Sequence, residues 1–203
     1  MLLRGELRMR KGELTRERII AQAAPIFNQR GYAGCSMQDV MEATGLEKGG
    51  LYRHFSSKEE LAAEAFRYSL ARSVKLRTDS LSSADGSIAQ LRLYIKRFVE
   101  KPSTTPGGCP LMNTAIDADD GNVVLRNLAL DGIRDWRARI SKVIEEGIRR
   151  GETRKGTVPR RVANSIIASL EGALMISRLE GNRTALQDAQ SVLDILLDQI
   201  AAA

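Results

Sequence analysis

The chain has 203 residues, 43% of them hydrophobic and 28% charged, with a formal net charge of +6 and a pI near 9.6. That length supports one or two domains with real cores, and the composition is that of a soluble globular protein rather than a disordered one. One histidine and two cysteines, Cys35 and Cys109, exclude a Cys/His zinc site and a disulfide framework, and no apolar run reads as a membrane span, so a cytoplasmic protein without metal or cofactor is expected.

Residues 1–13 read as a flexible basic arm, too polar for a secretory signal. Arg4, Arg8, Arg10, Lys11, Arg16 and Arg18 crowd the entrance to the first helix. Such an arm either has no role or adds phosphate or minor-groove contacts. The first helix is expected to start after Thr15, a capping residue. Ile20, Ala23 or Ala24, and Phe27 mark its buried face, Pro25 sits inside it, and Gly31 ends it in a left-handed conformation.

The stretch SMQDVMEATGLEKGGLYRHF, residues 36–55, reads as two short helices joined by a tight turn. Ser36 and Asp39 form a capping box, Met37, Val40 and Met41 share a face, and Gly45 makes the turn. The second helix carries Lys48, Gly49, Gly50, Tyr52, Arg53 and His54, with Leu51 and Phe55 pinning it to the core. Lys48 falls at its positive end, the glycines keep side chains away from a duplex, and the remaining polar groups offer donors to phosphates or base edges.

Ser57 and Glu60 read as a second capping box that opens a fourth helix running towards Leu81. Residues 72–77 are a charge run, expected to be a solvated face. Residues 80–87 form a turn by composition. A fifth helix then carries Ile88, Leu91, Ile95 and Phe98 on one stripe. Residues 101–110, KPSTTPGGCP, forbid regular structure. A short helix with Leu111, Met112, Ala115 and Ile116 follows, closed by the turn DADDGN, whose Asp117, Asp119 and Asp120 are read as turn residues. A long helix is expected over 123–150, with Ile133, Trp136, Ile140, Val143 and Ile144 inward. Thr157 should cap the eighth helix, which is apolar on more than one face through Val162, Ile166, Ile167, Leu170, Ala173, Leu174 and Ile176. Thr184 and Gln187 should box the last, with Leu186, Val192, Leu193, Leu196 and Ile200. Two such helices suggest a self-complementary interface between two copies.

The run GYAGCSMQDVMEATGLEKGGLYRHFSSKEEL, residues 31–61, resembles the DNA-binding domain of the TetR family of transcriptional regulators. The resemblance implies an all-α chain: a helix-turn-helix domain over 14–60 and a ligand-binding and dimerisation domain over 61–203. It implies a homodimeric repressor released from a palindromic double-stranded DNA operator by a small-molecule effector. Carried over by position, Ser36, Tyr52, His54 and Lys58 meet phosphate, Lys48 and Gly49 open the reading helix, and Gly50 and Arg53 set sequence preference. Pocket candidates are Phe66, Tyr94, Phe98, Cys109, Met112, Trp136, Leu170 and Met175. Two alternatives stand beside this. Cys109, in GGCPLM before a short helix, could be a thiolate sensor of oxidants or electrophiles, or the chain could be an architectural DNA binder with no room for a cavity. No enzyme is expected: a hydrolase triad would have to use His54, and no phosphate-binding glycine loop is present.

Overall fold

The computed structural model describes residues 11–79, 81, 84–101, 103 and 105–202. Arg4, Arg8 and Arg10 of the expected arm lie outside the described residues. The helices are α1 (Lys11–Arg30), α2 (Met37–Thr44), α3 (Lys48–Tyr52), α4 (Lys58–Thr78), α5 (Ser87–Glu100), α6 (Pro110–Ala118), α7 (Val123–Arg150), α8 (Pro159–Glu180) and α9 (Thr184–Ile200). Among the described residues no strand forms, only an isolated bridge between Thr153 and Ala201. The all-α expectation is met.

Several helix ends differ from expectation. α1 opens at Lys11, so residues 11–13 are helical and Thr15 is interior rather than a cap. Ser57 caps α4 through the Glu60 amide, but the Glu60 carboxylate turns instead to the Ser56 amide at 2.8 Å and its hydroxyl at 2.7 Å. α8 is capped at Val158, one residue after Thr157. The Thr184–Gln187 box does not form: Thr184 is the first helical residue, and its amide donates to Asn182 Oδ1 at 2.9 Å. A polar side chain two residues upstream reaches that end just as well as the expected partner.

The buried residues divide into two main clusters. One joins α1 to the start of α4 through Ile19, Ala23, Cys35, Val40, Leu51, Phe55 and Leu61. The larger joins Phe66 of α4 to α5, α7, α8 and α9, with Ile95, Ile144, Ile166, Leu170, Leu193 and Leu197 almost fully buried. α4 serves both, so the expected boundary near residue 60 falls inside a continuous helix. α5 has no capping side chain of its own; the Glu152 carboxylate, after α7, accepts the Ser87 amide at 2.6 Å. That approach needs Gly147, where a Cβ would come within 2.1 Å of Ser87 Oγ.

α8 is, by length and composition alone, apolar enough to cross a membrane, contrary to the sequence expectation. Here Val162, Ile166 and Leu170 pack inward, while Met175, Ile176 and Leu179 are exposed.

Candidate functional site

The α2–α3 pair is built by local chemistry. Ser36 Oγ accepts the Asp39 amide at 3.1 Å, and Asp39 Oδ2 accepts the Ser36 amide at 2.7 Å. The Ser36 hydroxyl also donates to Asp39 Oδ2 at 2.6 Å, and this bond, together with the one from the Ser36 amide, holds the Asp39 carboxyl below its ordinary pKa. Arg30, in the last turn of α1, reaches the same carboxylate at 2.6 Å, which fastens α2 to α1. Gly45 ends α2 at φ +64°, a left-handed position.

α3 is short. It ends at Tyr52, so Arg53 is its cap and His54 lies in the following turn, not on the helix as the sequence suggested. Ser36, Lys48, Gly49, Tyr52 and Arg53 are exposed; Gly50, His54 and Lys58 are half-buried. Tyr52 stands 43% exposed. Lys58 Nζ lies 4.2 Å over the Tyr32 ring, a cation–π contact that holds its ammonium there. A Cβ on Gly49 would meet nothing within 4 Å, and one on Gly50 would make only ordinary contact with Leu46. Neither glycine is required by the fold, although each weakens a helix by roughly 1 kcal/mol relative to alanine.

The second feature is a cavity of about 560 Å³ between α4, α5, α6 and α7. Leu70, Val74, Leu91, Tyr94, Leu111, Trp136, Ile140 and Val143 supply much of its wall. Of the eight sequence candidates, Tyr94, Cys109 and Trp136 line it. Phe98 stands behind, stacked on Trp136 at 5.9 Å between centroids. Phe66 borders a small gap against α1 and α6. Met112 lines a separate surface groove with Ile116 and Glu171. Leu170 is core, and Met175 is 47% exposed on the outer face of α8. The C-terminal half of α4 was not among the sequence candidates, yet Leu70, Ser73, Val74 and Arg77 all line the cavity. Their three- and four-residue spacing was the available signal. It was hidden because residues 72–77 looked like a solvated charge run, whereas Arg77 is only 7% exposed.

Cys109 precedes α6 as expected, but its thiol is buried against the Glu171 carboxyl. Burial, reinforced by the Glu171 charge, pushes its pKa up to about 12. The helix N-terminus does not overcome this, so the thiolate expected of a sensor is not formed near neutral pH. Iodoacetamide at pH 8 should therefore leave Cys109 unlabelled in the folded protein while labelling the urea-unfolded chain. Because the folded pKa is raised, the associated stability is complete below the unfolded thiol's pKa and declines as pH rises towards about 12. Denaturation midpoints that rose between pH 9 and pH 11 would contradict this sign.

The cavity is tied to α1. Asn28 Nδ2 donates to the Pro106 carbonyl at 2.7 Å, and Asn113 Nδ2 donates to the carbonyls of Asn28 and Gly107, each at 2.9 Å. At Gly31 the φ is +74°, and a Cβ would come within 2.5 Å of the Asp117 carboxylate, which accepts the Tyr32 amide at 2.6 Å. One face of the 105–113 segment thus grips the end of α1, and Cys109 and Pro110 form cavity wall.

Comparison with known proteins agrees with this architecture. The pattern described as "Bacterial regulatory proteins, tetR family" matches residues 19–65, and "Tetracyclin repressor-like, C-terminal domain" matches residues 87–193. A TetR transcriptional regulator from Chloroflexus aurantiacus J-10-FL is similar at 42% identity and a TM-score of 0.91, over 96% of this chain and 100% of that one. One from Cytophaga hutchinsonii is 34% identical with a TM-score of 0.90, over 97% and 99%. The HTH-type transcriptional repressor DhaR of Mycobacterium sp. (strain GP1) is 29% identical over 179 residues, 88% of this chain and 89% of that protein. The chain therefore belongs to the TetR family of DNA-binding, non-enzymatic transcriptional regulators.

Proposed function

We propose that the protein is a homodimeric repressor that leaves a palindromic operator when a small molecule occupies the cavity between α4 and α7. The observation that carries this reading is the 105–113 segment, which holds α1 through Asn28 and lines the cavity through Cys109 and Pro110. A ligand that displaces the wall at Pro110 pulls on α1 and reorients α2 and α3. By linkage, a ligand favouring the reoriented state lowers operator affinity by its differential affinity for the two states. A cavity of this size speaks against the architectural alternative, and the buried Cys109 thiol against the oxidant sensor.

The glycine pair supports the DNA side. Gly49 and Gly50 lack an intrachain reason for their size, which fits close approach of a phosphate backbone. Ser36, Lys48, Tyr52, His54 and Lys58 then position the duplex, and exposed Arg53 reads it. The dimer is assigned to the outer faces of α8 and α9. Met175, Ile176 and Leu179 on α8, and Val192 and Ile195 on α9, are exposed apolar residues at helical spacing. Gly172, mid-helix, has open space where a Cβ would be, so two helices can approach closely there.

Selection of genomic fragments by the purified protein, followed by anisotropy titration of the winners, tests this. Arg53→Ala should relax sequence preference, with about 1–3 kcal/mol of discrimination lost. Lys58→Ala should weaken all sequences alike and reduce the salt slope by about 1. Equal effects of both substitutions would remove these roles.

A further inference from the structure

The cavity is apolar over most of its wall, yet it holds hydrogen-bonding groups that the protein itself leaves unused. Arg77 is more than nine-tenths buried, and its Nε has no hydrogen-bond partner. Ser73 Oγ and Trp136 Nε1 are likewise buried without a partner, the indole facing the Tyr94 hydroxyl short of hydrogen-bond geometry. All three residues line the cavity. Arg77 is held in place by Phe98, whose ring lies 4.1 Å from the guanidinium carbon and stacks in turn on Trp136. No carboxylate among the described residues pairs with Arg77. Glu171 is near enough to influence it, but neither Glu171 oxygen has a hydrogen-bond partner, and burial raises that carboxyl's pKa. The exposed rim has the same sign: Lys75 and Arg139 stand against Asp135, while Arg67 is paired with Glu64 at 2.9 Å.

A buried guanidinium left without an anion is unfavourable for the folded chain. Such a group beside a void of drug-like size is the arrangement that an anion completes. Resting on the effector reading above, we propose that the molecule this cavity takes is an organic anion: one acidic group on an apolar body, with the acid seated on Arg77. The acid accepts from the guanidinium and from the Ser73 hydroxyl and Trp136 indole donors. The body lies along Leu70, Val74, Ile140 and Val143. The cationic rim draws the anion in, an effect that weakens with salt.

The test uses two fluorescent probes of matching ring structure, anilinonaphthalene sulfonate and the uncharged phenylnaphthylamine, on the full chain. Binding is read through quenching of Trp136, the only tryptophan in the sequence. The anionic probe should bind at least about tenfold more tightly. Arg77→Met should erase that preference and leave the neutral probe unchanged, and Arg77→Lys should restore part of it. Equal affinity of the two probes for the unaltered protein would overturn the anion assignment while leaving the cavity as an effector site. That comparison decides the matter even if Arg77→Met does not fold. Saturable quenching by neither probe would overturn the cavity reading and the anion assignment together.

Discussion

A protein carrying Leu179→Asp together with Ile195→Asp is expected to be a monomer with native helix content. Leu179 is 83% exposed and Ile195 59% exposed, so neither substitution opens a hole in the core. In the proposed dimer each faces the partner, and twofold symmetry places every change in the interface twice. Burying a large aliphatic side chain contributes about 1.5–3 kcal/mol, and an unpaired carboxylate there is unfavourable in addition. The dissociation constant should rise at least ~1000-fold, since about 1.4 kcal/mol corresponds to each factor of ten. Operator affinity should fall in parallel, because a lone subunit engages one half-site. Light scattering during size-exclusion chromatography gives the mass, and circular dichroism checks the fold. A dimer persisting at micromolar concentration would remove α8 and α9 as the interface.

Leu170→Ala should be the most damaging of the candidate-pocket substitutions, and for a reason unrelated to ligand. Leu170 has no exposed surface and belongs to the larger hydrophobic cluster. Truncating such a leucine costs about 2–5 kcal/mol, because the surroundings close only partly around the void. At about 2–4 °C per kcal/mol for a chain of this size, the melting midpoint should fall by roughly 4–20 °C. Ile116→Ala is the matched control. Ile116 is 71% exposed, so its truncation should shift stability by no more than about 0.5 kcal/mol. Similar losses at both positions in thermal melts would show that the core is not where the structure has it.

The sequence by itself determined the features that short-range chemistry dictates. The Ser36–Asp39 capping box and the left-handed Gly45 depend on atoms three or four residues apart, and they form as expected. The span 123–150 of α7 followed from its apolar period and the glycine at its end. Such features need no knowledge of distant chain. Where two local partners competed, as Ser56 and Ser57 do for Glu60, the pattern could not choose between them. Tertiary structure alone decided the rest. Periodicity says that Tyr94, Phe98, Trp136 and Leu170 are inside, but not which of them faces empty space, because a cavity is a failure of several helices to meet. It decided that α5 is capped by Glu152, a residue 65 positions away. It also placed Arg77 beneath the Phe98 ring, turning one member of a charge run into a buried cation. The environment of a charge depends on what arrives from elsewhere in the chain, and no local pattern carries that information.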